Sequence, residues 1–420
     1  MHSNFSRRDF LRYSSLGMLG ASLSGWLAPL AARAAVTGKK TKSCILLWMD
    51  GGPSHKDTFD MKPGTKDGGE YKPIATNVPG IQISEHFPKL AGLMNHAAIL
   101  RSMSTGEGAH GRAKVYLHTG YKEGVGGLVY PSMGAIVSKE LGREDFPLPN
   151  FVAVGNRSYG SGFLGPRHQP LTVGDPARGV ESLKALVSDG QFHNRVGLLE
   201  EMEAGFFKQY PASAANDHHT TYQRAVRLME SKEAKAFDLD KEPASAKSAY
   251  GSGKFAEGCL LARRLVETGV PFVEVTLGGW DTHQNNFERV KQLSGQVDTP
   301  VSALITDLKD RGMLDSTLVI WMGEFGRTPK INSRGDKPGR DHYPKAWSSV
   351  LFGGGIKGGQ VIGKTDAEGA AVTERPVSAM DFMATVCTVL GIDHKKQYET
   401  PIGRPIGVAD RGAKPVDGLV

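Results

Sequence analysis

Residues 44–50, CILLWMD, run apolar without alternation and stop at a carboxylate. A strand with one face on a core alternates apolar and polar residues. An unbroken run belongs to a strand covered on both faces, as in the middle of a parallel sheet. The chain then turns through Gly51, Gly52 and Pro53 into Ser54, His55, Asp57 and Asp60. Two later stretches repeat the design, VEVTLGGWDTH at 273–283 and TLVIWMGEFGRTP at 317–329. Acids that follow three separate strands would gather on one edge of an open sheet, where ligands of such folds collect. The pattern predicts an α/β fold with a mostly parallel central sheet.

Taken in order, the strand at 44–50 is followed by a Lys-, Gly- and Pro-rich excursion at 61–82, a short helix at 86–93 and a second strand at 96–103. A glycine-broken loop from Ser104 runs into a helix that starts near His110, which aims backbone N–H groups at an anion. A helix is predicted over 131–142, a strand over 151–154, and loop over 156–178. Residues 180–252 carry helix-prone polar segments (198–210 and 217–234) and few strand signals, which reads as a helical insertion. A helix at 255–268 closes on Gly269, a carboxyl cap, and feeds the strand at 271–277. Then come a helix at 296–311, strands at 316–322 and 348–353, and a last helix at 378–391. The glycines at 353–355 and 358–359 lack the Lys-Ser/Thr of a phosphate cradle and read as a hairpin turn.

Residues 1–34 read as an address. Ser6-Arg7-Arg8-Asp9-Phe10-Leu11 precedes a mildly apolar stretch, and Ala32-Arg33-Ala34 offers small residues to a signal peptidase. This resembles a twin-arginine export signal cut after Ala34, giving a periplasmic or extracellular protein with no membrane span after signal removal. The mature domain would be 35–420. Net charge is +7 with no basic block, so nucleic-acid binding is not expected. Cys44, Cys259 and Cys387 are odd in number and set in apolar surroundings, so they read as buried thiols.

The chemistry concentrates in Asp50, Asp281, His283, Glu324 and His342, all in loops that follow predicted strands, with Asp341 beside the last. Carboxylates mixed with imidazoles and no thiolate suit zinc, manganese, calcium or magnesium, as one or two ions. Each residue also has a plainer role open to it. Asp50 before two glycines can cap a turn, Glu324 can pair with Arg327, and His342 can bond the backbone. His55 can orient Asp50, serve as acid to a leaving group, or simply fill a turn.

The strings MDGGPSHKDTFD, GAHGRAKVYLHTGY, GGWDTHQNNF, GEFGRTPKIN and GRDHYP, in this order, resemble the bacterial domain-of-unknown-function family 1501. That family is grouped with the alkaline-phosphatase and sulfatase superfamily. The resemblance implies an alkaline-phosphatase-like three-layer sandwich and a two-metal layout. Asp281, His283 and His342 would hold one ion, and Asp50, Glu324 and His110 the other. The superfamily's nucleophile position falls on His110 and its following arginine on Lys114, a departure that leaves His110 as ligand or as histidine nucleophile. Ser104 and Thr105 are the neighbouring hydroxyls. Arg327, Arg340, Arg112 and Lys114 would receive an anionic ester, such as a sulfated or phosphorylated glycan. The expected function is an exported metal-dependent hydrolase of phosphate or sulfate esters. A non-catalytic, metal-stabilised binding protein for such glycans is the second reading.

Overall fold

The computed structural model describes residues 42–209, 213–333 and 337–420. The export-signal expectation at 1–34 lies outside them.

Eight strands build the central sheet: β1 (Ser43–Met49), β2 (Ala97–Met103), β3 (Phe151–Val154), β4 (Leu171–Val173), β5 (Phe272–Leu277), β6 (Thr317–Met322), β7 (Trp347–Gly353) and β8 (Gln360–Ile362). Their order is β8-β2-β7-β6-β1-β5-β3-β4. Only β7 runs against its neighbours, β2 and β6. Every residue of β1 is buried, and parallel partners flank it: Leu46 faces Glu274 of β5 and Ile320 of β6. The unalternating run at 44–50 therefore does what its composition dictates.

Successive β1 side chains serve two cores. Ile45, Leu47 and Met49 pack with helices α5 (Lys254–Thr268) and α6 (Asn286–Asp310). Cys44, Leu46 and Trp48 pack with α1 (His110–Thr119), α2 (Met133–Glu140) and α7 (Ala379–Leu390). Helices on both faces make the three-layer α/β sandwich. Between β4 and α5 the described segments are helical, including α3 (Asp189–Gln209) and α4 (Ser213–Glu230). The three cysteines are free and buried. Among the described residues no helix is long and apolar enough to cross a membrane.

Several expectations need correction. The 156–178 loop contains β4, which extends the sheet beyond β3. Helix α6 begins at Asn286 rather than 296, because Val290 and Leu293 already face the core. The glycines at 353–355 do not make a hairpin: β8 leaves β7 and pairs with β2 in parallel. Those glycines hold φ of 65°, 64° and 84°, and a Cβ at Gly358 would stand 2.2 Å from the Asn95 carbonyl oxygen. The left-handed turn and the close backbone approach redirect the chain.

Candidate metal centre

Strands β1, β5 and β6 are adjacent and parallel, so their carboxyl ends open on one edge. The loops after them are stitched together by backbone contact. Gly51 (φ 114°) lies so near the next loop that a Cβ would fall 2.3 Å from the Asp281 amide nitrogen. Its own N–H points at both Glu324 carboxylate oxygens, at 3.1 and 3.2 Å. A Cβ on Gly339 would meet the His283 carbonyl oxygen at 1.8 Å, and Arg340 N–H donates to the Thr282 carbonyl at 3.0 Å. These glycines bring Asp281, His283, Glu324 and His342 within one small volume.

Three imidazoles are held there by the same device. His110 Nδ1 lies 2.6 Å from Glu324 Oε1, and His283 Nδ1 lies 2.7 Å from Asp341 Oδ1. His342 Nδ1 lies 2.8 Å from the Gly108 carbonyl oxygen. Each partner is an acceptor, so each Nδ1 carries the proton and each neutral ring keeps its lone pair on Nε2. Those three Nε2 atoms all face Asp281. His110 Nε2 is 3.3 Å from Asp281 Oδ2, while His283 and His342 Nε2 are 3.1 and 3.4 Å from Oδ1. His283 and His342 Nε2 stand 2.9 Å apart, two lone pairs that repel unless a proton or a cation lies between them. Buried Phe325 packs against the His110 and His342 rings, each at 4.8 Å between centroids.

The donor set fits a divalent cation. His110 Nε2 is a buried nitrogen with no hydrogen bond, since its approach to Asp281 lacks the geometry of one. One ligand atom each from His110, Asp281 and His342 lies within 4.8 Å of the others. A ring nitrogen whose far N–H is fixed by a carboxylate or carbonyl is the usual setting of a metal-bound histidine. The charge points the same way. Among the described residues the carboxylates Asp50, Asp281 and Glu324 outnumber the Lys114 ammonium and the Arg327 guanidinium that pair with them.

Asp281 stays ionised although burial opposes it, because the Arg327 guanidinium holds its carboxyl below the usual range. Burial, followed by Arg327, pushes His342 down and favours its neutral form.

The expected second ion group does not assemble as drawn. Asp50, a third exposed, is held by Lys114 Nζ at 2.6 Å and accepts the Trp48 indole N–H at 3.1 Å. Glu324, wholly buried, accepts from His110 Nδ1 and the Gly51 N–H. Helix α1 explains the arrangement: His110, Lys114 and His118 are four residues apart on one face, opposite carboxylates of three strands. His118 meets Glu274 at 3.3 Å in the buried layer below. That spacing was readable in the sequence and is the signal the strand-by-strand reading lacked. Asp341, noted in the sequence only as the neighbour of His342, is shown by the fold to hold His283.

Four further expectations are corrected. His55 is buried and donates from Nε2 to the Gly369 carbonyl at 2.8 Å, and among the described residues it has no hydrogen bond to Asp50 or to the three imidazoles. Arg327 cannot receive an ester, being fully buried, bonded to the Gly51 and Gly52 carbonyls and 2.7 Å from Asp281. Arg340 is likewise buried and spent on Asp57 and the Thr328 carbonyl. Arg112 is exposed and forked onto Glu107, whose carboxylate also takes the Ala109 N–H at the start of α1. The chain's own acid thus fills the anion position expected there.

Fold and site together define a mostly parallel α/β protein with an acid–imidazole centre at the carboxyl ends of its strands. The chain belongs to the family described as protein of unknown function (DUF1501), whose model matches residues 41–420. No curated protein matches it. Its structural neighbours are sulfatases and other alkaline-phosphatase-superfamily members. PsFucS1 sulfatase from Pseudoalteromonas sp. is 15% identical over 87% of this chain and 71% of its own, with a TM-score of 0.42. The lipoteichoic acid synthase LtaP from Listeria monocytogenes is 12% identical over 91% and 76%, with a TM-score of 0.40. Alkaline phosphatase from the Antarctic bacterium TAB5 is 14% identical over 84% and 99%, with a TM-score of 0.37.

Proposed function

We propose that this protein is an exported hydrolase of phosphate or sulfate esters that works with one divalent metal ion. The observation that carries the reading is the convergence of three imidazole Nε2 lone pairs on the Asp281 carboxylate. His110, Asp281 and His342 are the ligands, with His283 beside them; zinc suits this nitrogen-rich set better than calcium or magnesium. The ion would supply Lewis acidity toward an ester oxygen and toward water. The resemblance of the five sequence strings to a family grouped with alkaline phosphatases and sulfatases supplies the substrate class.

The chain's own residues do the rest. Glu324 and Asp341 fix the His110 and His283 tautomers and make both rings better donors. Arg327 keeps Asp281 ionised and locked in place. Lys114, anchored by Asp50 and a quarter exposed, is the cation left to meet the charge of an ester oxyanion. No side-chain hydroxyl or thiol among the described residues bonds to the three imidazoles, so water is the attacking group. A substrate outside the cytoplasm, such as a sulfated or phosphorylated glycan, accords with the twin-arginine reading of residues 1–34.

Elemental analysis of protein purified from the periplasm, paired with aryl phosphate and aryl sulfate assays, tests this. The expected result is about one divalent ion per chain and turnover abolished by chelation. Metal-free protein that leaves every ester intact overturns it.

The engagement of Arg327 and Arg340 with backbone and acids favours a second reading, a metal-stabilised binding protein without turnover. Ester binding that survives His110→Ala, with no hydrolysis in any metal, selects it.

A further inference from the structure

A second concentration of charge lies at the opposite edge of the sheet. Residues 143–150 lead into the amino end of β3, and they border a cavity of about 160 Å³ with the 3-10 turn Pro166–His168 and helix α4. Its lining includes Arg143, Arg167, Arg224 and Arg227, with Glu144 as the only acid. Glu144 is exposed and pairs with Arg167 at 3.3 Å. Arg224 donates one bond to the Pro166 carbonyl at 2.8 Å, and Arg227 one to the Glu144 carbonyl at 3.0 Å. Among the described residues neither has a carboxylate within ion-pair distance. Each guanidinium offers five N–H donors, so among the described residues most of theirs are unanswered.

The arginines also feel one another. Burial first, then Arg167 and Arg227, pushes the Arg224 guanidinium below its ordinary value. Next to it, His168 is buried with Nδ1 3.0 Å from the Ser138 hydroxyl, and burial together with Lys139, Arg167 and Arg224 pushes it down to about 4. Glu140, the other acid nearby, is engaged by Lys396 and Tyr398. A chain gains nothing by gathering like charges around a polar hollow unless something of opposite sign shares it. The hollow has room for several waters, hence for a five-atom anion.

We propose that this pocket binds a tetrahedral oxoanion, the sulfate or phosphate group of a free ion or of a modified glycan. Arg224 and Arg227, three residues apart on α4, supply one wall and Arg167 the other. Forked guanidinium donors match such oxygens two at a time. The site is separate from the imidazole centre and does not depend on its activity.

Calorimetric titration of the metal-loaded full mature chain tests it, with inorganic phosphate, inorganic sulfate and a sulfated hexasaccharide as probes and chloride matched for ionic strength. Arg227→Ala and Arg167→Ala, at partly exposed positions, should each weaken the pocket's binding by about tenfold. Arg178→Ala, an exposed arginine outside the pocket, should leave it unchanged. The imidazole centre is intact in all of these proteins, so its own anion binding cancels in the comparison. Arginine-dependent binding of phosphate and sulfate identifies a free-ion site, and arginine-dependent binding of the hexasaccharide alone identifies a carried ester. Binding that is absent, or equal in wild type and both arginine variants, overturns the proposal.

Discussion

Two charge clusters built from similar residues behave in opposite ways. Between α5 and α6, Arg263, Arg264 and Arg311 face Glu242, Glu267 and Asp307. Arg263 is buried, with ion pairs of 2.5 Å to Glu242, 2.6 Å to Glu267 and 2.9 Å to Asp307. Arg311 closes the ring onto Asp307 and Glu267 at 2.5 and 2.8 Å, and the Tyr250 hydroxyl adds a bond to Asp307 at 3.1 Å. Charge balances and every acid is answered. At the carboxyl edge of the sheet, acids outnumber cations and three lone pairs face one carboxylate. A balanced network holds a fold together, whereas surplus charge with convergent lone pairs is arranged for a ligand.

The largest effect should come from breaking the balanced network. Arg263→Ala leaves three carboxylates short of a partner and should lower unfolding stability by about 3–5 kcal/mol in denaturant titrations, with metal content unchanged. A variant that lost metal in proportion to stability would erase the contrast between the clusters. Glu324→Gln should do the converse. His110 loses its anionic support, so metal affinity falls about 10–100-fold by competition with a chelating dye, while stability in excess chelator changes by less than about 1 kcal/mol. Lys114→Met should be milder: removing a positive charge from the centre tightens the metal by about two- to tenfold and slows ester turnover. Unchanged metal affinity would mean that Lys114 and Asp50 form a pair independent of the centre.

The gentlest effect lies outside both clusters. His168 is held neutral with its folded value pushed down to about 4, below the ordinary value near 6.5. Between those values the unfolded chain binds a proton that the folded chain refuses. Stability is therefore full above pH ~6.5 and declines as pH falls toward about 4, by less than about 1.4 kcal/mol per pH unit. Urea titrations from pH 7 to 4 should show that decline in wild type and a shallower one in His168→Gln.

Much of the fold was legible because burial on two faces leaves a mark in composition. The runs at 44–49, 272–277 and 317–322 are strands whose neighbours cover them. Short edge strands such as β4 and β8 leave no such mark, since three residues carry no period. At the site, acids and histidines after strands were visible, and Asp281, His110, His283 and His342 do meet. His55, Arg327 and Arg340 were misread because the same side chain can be a ligand-facing group or a buried strut. Nothing within its own string says which.

The order of residues thus determined the strands, their carboxylate ends and the glycines that let loops touch. Which acid meets which cation was left to the tertiary structure. Lys114 claims Asp50 only because α1 crosses β1 there, and His283 receives Asp341 only because Gly339 lets two distant loops come into contact. Hydrogen bonds and ion pairs are decided over a few tenths of an ångström, a scale set by packing across the sheet edge.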